Sequence, residues 1–314
     1  MSNVQNTMIS IVILNYNRPQ HLDRLLSGLS MSVNYSPFEV LVIDNCSDEP
    51  VAPIVKRFGF ARVIRMESNV GVAGRNRGLQ EARGSIIITL DDDVFGIGDE
   101  EIQQLKEIFS DPIVGAVCFQ VLDDTEDTVI NWCHHYKVEE YSEKEFLTNE
   151  ITEGAVAFRR EALQKSGYYP EHFFISHEGP DLAFRIMNAG YNVIYTPKIR
   201  VKHYHAKEGR PSWRRYYYDT RNLIWLVLRN YGVLSGFNKL FTGLGAMFVY
   251  SVRDGFLRYW FKAIWDGVLG GPSAIRARTP MAARTLELNR HIESFRPGFW
   301  YMVRKRLFSR KVRI

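Results

Sequence analysis

Short apolar runs of strand length recur along the first two hundred residues, and stretches of helical spacing separate them. Ile9 to Leu14 predicts a first strand, and Pro19 to Leu29 a helix that Asn17 opens with proline in its first turn. Phe38 to Ile43 and Arg62 to Met66 predict the next two strands, and Gly74 to Ala82 a helix. Ser85 to Leu90 contains no charge and runs directly into Asp91, Asp92 and Asp93, as a buried strand would. Val114 to Val121, Thr152 to Phe158, Asn192 to Thr196 and Ile199 to His203 predict further strands, the last two on either side of Pro197, and Asp181 to Ala189 a helix. Strands alternating with helices imply an α/β fold with a Rossmann-like, mixed but mainly parallel sheet flanked by helices. The aspartates then fall at a strand's carboxyl end, where open α/β sheets bind ligands.

From Trp213 onward aromatic and long apolar residues dominate at helical spacing, which divides the chain into a core over residues 1–230 and a helical region over 231–314. Leu234 to Val268 is the nearest approach to a membrane span, but Lys239, Arg253, Asp254, Arg258, Lys262 and Asp266 interrupt it. The last segment, Arg304 to Arg313, carries six basic residues and no acid. A helical appendage with this pattern suits an anionic membrane face, and self-association through the same apolar faces, giving a homo-oligomer, is the alternative.

Charge adds little, because 40 Lys and Arg against 35 Asp and Glu leave +5, too mild to argue for nucleic acid. Cys46, Cys118 and Cys133 have no ligand spacing and favour a reducing compartment. The opening residues lack a basic stretch followed by an apolar core, so the expected location is cytoplasmic, with peripheral attachment to the inner membrane face through the C-terminal region.

The triplet carries the first chemistry. A diphosphate needs a cation between its oxygens and protein carboxylates, and Asp91 and Asp93, flanking Asp92, offer hard oxygen ligands to Mn2+ or Mg2+. The alternative is a solvated loop that caps the helix beginning near Asp99. An uncharged strand leading into the acids favours metal and diphosphate.

Four stretches together resemble glycosyltransferase family 2, the inverting enzymes of the GT-A fold: Ser10 to Arg18, Val42 to Asp48, Asn69 to Gly78 and Leu90 to Val94. The resemblance spans roughly residues 8–230. It implies that Asn15, Tyr16, Asn17 and Arg18 line a nucleotide pocket, that Asp44 and Asn45 face base and ribose, and that Asn69, Gly71, Arg75 and Asn76 line the donor site with Asp91 and Asp92. The glycine-rich stretch is not GxGxxG, which disfavours a dinucleotide cofactor.

Phe173 to Arg185 resembles the family's later acidic motif, which supplies the general base of an inverting transfer. Glu178 is the first candidate and Asp181 the second; the commoner pattern has an acid where this chain has Gly179. Val201 to His205 resembles the place where relatives give a histidine to the metal, and His203 matches best, with His205 on the same face of an extended chain. In the aromatic stretch Trp213 to Trp225, Arg214, Arg215 or Arg221 can reach a diphosphate, or simply be solvated. Cys133, His134 and His135 lack metal-ligand partners and read as ordinary strand or loop.

The resemblance implies a nucleoside-diphosphate sugar donor, UDP or dTDP type favoured, and a saccharide or polyprenyl-linked acceptor in cell-surface polysaccharide assembly. A nucleotidyltransferase would open with a glycine-rich, lysine-containing loop after strand one, which Asn15 to Arg18 is not. Only Gly179 speaks for a non-catalytic sugar-binding scaffold.

Overall fold

The computed structural model describes residues 7–204, 213–298 and 301. In chain order the core runs β1 (Ile9–Asn15), α1 (Pro19–Ser32), β2 (Phe38–Asp44), α2 (Ala52–Val55), β3 (Ala61–Arg65), α3 (Arg75–Glu81), β4 (Ile86–Asp91), β5 (Val94–Phe95), α4 (Asp99–Ile108) and β6 (Val114–Asp123). There follow α5 (Val138–Tyr141), β7 (Phe146–Leu147), β8 (Ala155–Arg159), α6 (Arg160–Ser166), α7 (Glu178–Asn188) and β9 (Asn192–His203). Four helices complete the described chain: α8 (Trp213–Asn230), α9 (Val233–Arg253), α10 (Leu257–Arg276) and α11 (Ala283–Ser294).

The strands form one sheet in the order β3-β2-β1-β4-β8-β6-β9-β5, with β7 paired to β9. β3, β2, β1 and β4 are parallel, while β8 runs antiparallel to β4 and β6. Alternate side chains of the central strands enter two separate cores. Ile9, Ile11 and Ile13 pack with Leu22, Leu26, Ile102 and Leu105, whereas Val12, Ile43 and Ile87 pack with Leu79, Leu163 and Ile186. Burial on both faces explains why these strands read as continuous apolar runs. Gly78 lets α3 lie close to the sheet, since a Cβ there would stand 3.1 Å from Ile43 Cδ1 and nearer still to Val12.

Three local expectations change. The two strands expected around Pro197 are one strand, β9, in which Thr196 pairs with Phe119 and Arg200 with Gln120, so residues 197–199 bulge out. Proline has no N–H for the ladder, and a bulge is where a strand tolerates it. The helix expected from Asp181 starts at Glu178, because Pro180 fits the first turn, whose donors are unpaired in any case. Asn17 does not cap α1: it adopts a left-handed φ of 56°, and Arg18 occupies the cap position without a side-chain bond.

The C-terminal helices return to the core. Asn149 Nδ2 donates to Asn289 Oδ1 and to Glu293 Oε1, both at 2.8 Å, and Ile292 is buried among core residues. Among the described residues no helix is long and apolar enough to cross a membrane.

Candidate active site

The chain leaves β1 outward to β2 and β3 and then crosses to β4 on the other side, so a topological switch point opens between the carboxyl ends of β1 and β4. Leu14 pairs with Asp91 across those strands, and one residue further on Asn15 Nδ2 donates to Asp92 Oδ2 at 2.7 Å. Asp92 and Asp93 are both 4% exposed, and Arg18 pairs with each of them. Burial, followed by the adjacent charge of Asp93, pushes the Asp92 carboxyl up to about 7. Burial works the same way on Asp93, but His203 and Arg18 outweigh it and hold that carboxyl below its usual value.

His203 Nε2 lies 3.1 Å from Asp93 Oδ1, and Asn131 Nδ2 lies 3.1 Å from its Nδ1. The sequence placed Asp93 and His203 together across 110 residues, and they meet because β5 pairs antiparallel with β9, Val94 against His203. His21, from α1, was not anticipated: its ligand atom and those of Asp92 and Asp93 all lie within 4.8 Å of one another. Carboxylates with imidazole are a donor set that suits Mn2+ and, through the oxygens, Mg2+. Asp91 is turned elsewhere, into an ion pair with the buried Arg75. His205 lies outside the described residues.

The neighbouring loops are tied into a frame. Asn17 bonds Asp48 through both its amide oxygen and its amide nitrogen, and Tyr16 beside it is 43% exposed. Asp44 is buried, accepts the Ser47 N–H at 2.9 Å and pairs with Arg65 Nη1 at 2.6 Å. Asn45 Nδ2 donates to Asn69 Oδ1 and to the Gly71 carbonyl, and its Oδ1 accepts the Val70 N–H. Gly71, at φ 67°, passes so close to the Phe174 backbone that a side chain would not fit. Asn76 bonds the Tyr169 backbone in both directions. Of the predicted donor-site residues, Asp44, Asn45, Asn69 and Asn76 thus spend their side chains on one another's loops, while Tyr16 and Arg18 remain at the surface of the cleft.

On the far side of Arg75 stands the second acidic group. Residues 173–177 form a strained loop in which Phe174, Ser176 and His177 have φ of 66°, 79° and 65°. Asn222 of α8 clamps it, donating from Nδ2 to the carbonyls of Phe173, Ile175 and Ser176, each at 2.8 Å. The clamp sets Glu178 at the start of α7, 2% exposed, with Oε2 buried and unbonded. Burial, and next the charge of Glu153, drive its carboxyl well above the ordinary range, with Arg75 opposing. Asp181 is wholly buried and bonded by Arg185, Arg229 and Asn230. Arg221 donates to the His172 and Phe173 carbonyls and lies 4.3 Å over the Trp225 ring, so here it holds the loop.

The comparisons bear on what this arrangement is. The model of glycosyl transferase family 2 matches residues 10–167, just over half of the chain. The chain belongs to that family. It is 24% identical over 224 residues to the O-antigen chain rhamnosyltransferase RfbN of Salmonella typhimurium, covering 67% of this chain and 70% of that protein. The similar rhamnosyltransferase WbaN of Salmonella anatum is 22% identical, with 58% and 61% covered. The fold is the GT-A fold of solved glycosyltransferases. S. aureus TarS 1-349 in complex with UDP-GlcNAc aligns with a TM-score of 0.60 at 17% identity, covering 91% of this chain and 90% of that one. The Pyrobaculum calidifontis mannosyltransferase PcManGT, in complex with GDP-Man and Mn2+, aligns with 0.57 at 18%, covering 98% and 88%.

Sequence reasoning missed Glu153, Tyr169, Asn222 and His21. Glu153 falls inside the predicted strand Thr152 to Phe158 with no motif around it, whereas β8 begins only at Ala155, and Asn222 lies next to the more conspicuous charge of Arg221. Neither shows its partners until the chain is folded.

Proposed function

We propose that this family 2 glycosyltransferase transfers a sugar, with inversion at the anomeric carbon, from a nucleoside-diphosphate sugar to a saccharide or polyprenyl-linked acceptor in cell-surface polysaccharide assembly. The observation that carries the reading is the position of Arg75. It pairs with Asp91 of the triplet, whose carboxylate packs on Gly154, while Glu153 Oε1 stands 2.5 Å from where a side chain at position 179 would begin, which supports reading both acidic motifs as one site.

The nucleotide sits over the ends of β1 and β2, near Tyr16 and Arg18, with the diphosphate toward Asp92 and Asp93. Asp93 and His203 would hold the divalent cation, Mn2+ or Mg2+, with Asp92 and His21 at hand, and Asp91 would join only if its pair with Arg75 opened. When bound, that cation neutralises the leaving diphosphate. Glu178, whose carboxyl burial and then the charge of Glu153 drive well above the ordinary range, takes the acceptor hydroxyl's proton as its oxygen attacks. The S. typhimurium relative's name, an O-antigen chain rhamnosyltransferase, supports a deoxyhexose of the rhamnose kind as the sugar moved.

The protein works at the cytoplasmic face of the membrane, where a lipid-linked acceptor is accessible. The exposed apolar face of α9 and α10, with Leu234 90%, Phe237 72% and Trp265 66% exposed, supports that location. The basic stretch from Arg304 to Arg313 lies outside the described residues.

Thermal shifts with UDP, dTDP, GDP and CMP, each with and without Mn2+, test the donor site. One nucleoside diphosphate should raise Tm only when the metal is present, and D93A should abolish the metal-dependent part. A full shift in D93A would remove Asp93 from the cation site. E178Q should bind the same nucleotide and lose turnover by about 100-fold or more.

A further inference from the structure

Glycine at position 179 leaves a space beside Glu178, and the structure shows what fills it. A Cβ on Gly179 would stand 2.5 Å from Glu153 Oε1 and would also collide with the Ile151 carbonyl. The carboxylate of Glu153, carried on the tight turn before β8, therefore lies where a side chain at 179 would begin. Gly154 next to it packs against the Asp91 carboxylate, and Thr89 Oγ1 donates to the Glu153 carbonyl at 2.9 Å, so the turn is anchored on β4.

Three buried polar atoms around this carboxylate have no hydrogen-bond partner: Glu178 Oε2, Tyr169 Oη and Arg75 Nε. Their residues are 2%, 2% and 1% exposed. Unbonded buried polar atoms are costly, and a group of them around an acid indicates a site arranged for something that arrives later. Glu153 as a residue keeps partial exposure, unlike Glu178, Tyr169 and Arg75, although burial still pushes its carboxyl up to about 7. Of the two acids it is the one whose residue keeps some contact with solvent, Glu178 being 2% exposed.

We propose that Glu153 is a catalytic carboxylate of the transfer, standing in for the acid that position 179 lacks: it meets the attacking hydroxyl, and Glu178 shares the proton that it takes. The inference rests on the glycosyl-transfer reading and deepens it. In the step, the acceptor O–H bond breaks and its oxygen bonds to the anomeric carbon. The bond from that carbon to the diphosphate oxygen breaks with its electron pair leaving on the nucleoside diphosphate, and the proton is held between Glu153 and Glu178 before passing to water. Arg75, paired with Asp91, keeps the closely spaced acids from repelling one another out of place.

The test uses the full chain, Mn2+, a panel of UDP-, dTDP- and GDP-hexoses, and water as acceptor, with nucleoside diphosphate release as the readout. E153Q should bind nucleoside diphosphate within about twofold of wild type, because only the reacting carboxylate has changed, and release it about 100-fold more slowly. E153A should be equally slow, and sodium formate should restore a substantial part of its rate, since a small carboxylate fits the space that the side chain vacates. E153Q turning over at the wild-type rate would overturn the proposal while leaving Glu178 in place if E178Q is slow. An E153A defect that formate does not relieve, with weakened nucleotide binding, would make Glu153 a structural residue and also overturn it. If E178Q and E153Q both run at full rate, or the wild type releases nothing from any donor, the underlying reading falls with it.

Discussion

Asp181 carries its charge at zero exposure because its partners replace water. Arg229 Nε and Asn230 Nδ2 donate to Oδ1 at 2.7 and 2.8 Å, and Arg185 Nε donates to Oδ2 at 3.0 Å. Burial would raise this carboxyl, and Arg185 with Arg229 reverses that and holds it below its usual value. Arg185 in turn donates to the Ser166 and Tyr168 carbonyls, so one acid ties α7 to α8 and to the turn after α6. Removing one partner of a buried ion pair leaves the others desolvated and uncompensated, which costs about 3–5 kcal/mol. D181N should therefore lower the denaturation free energy by about that amount in a urea titration, whereas E178Q, which changes a buried acid whose Oε2 has no partner, should cost little. A D181N protein of wild-type stability that is catalytically dead would return Asp181 to the reaction. The sequence ranks Glu178 ahead of Asp181 as the base; what separates the two in the fold is a pair of side chains on α8, 48 and 49 residues from Asp181.

At the scale of elements, most of the sheet was legible because its strands are buried on both faces and read as uninterrupted apolar runs. The errors sit where tertiary pairing overrules local pattern: β9 continues through Pro197 because β6 still pairs with it on either side of the bulge. The loop over residues 173–177 was not legible as strained, since nothing in Phe-Phe-Ile-Ser-His announces left-handed backbone at three non-glycine positions. Each such position costs of the order of 1–3 kcal/mol and persists only if its surroundings hold it. Here Asn222 does so with three bonds, and Asp219 adds one from Ser176 Oγ at 2.5 Å. N222A should let the loop relax, so hydrogen exchange over residues 172–178 should rise while α3 and β4 stay protected. Turnover should fall with it and nucleotide affinity should fall less, because Asn15, Asp44 and Asp92 stand at the ends of β1, β2 and β4 and it is the 71–72 turn that leans on the loop, at Phe174. Unchanged exchange in that segment would show that the loop is held from elsewhere.

The molecule as a whole presents one side that water does not favour. Leu234, Phe237 and Phe241 of α9 and Phe261, Trp265 and Leu269 of α10 are each more than half exposed, on helices whose other faces pack against α8 and each other. Apolar exposure on this scale marks an interaction surface, and aromatic side chains on amphipathic helices suit the boundary between headgroups and acyl chains. The same surface can bury itself against a second copy, and the two outcomes separate by experiment. If the face rests on membrane, the full-length protein should float with vesicles containing phosphatidylglycerol and less with neutral phosphatidylcholine vesicles, since basic residues flank the apolar ones. The F237E/F241E/W265E variant should stay at the bottom of the gradient with unchanged helical content. Should the wild type fail to float and instead run as a dimer by light scattering, with the triple variant monomeric, self-association would own the surface. In that case the acceptor would have to reach the Glu153 and Glu178 pair from solution rather than from a bilayer, and loss of the apolar face would leave turnover on a water-soluble acceptor intact.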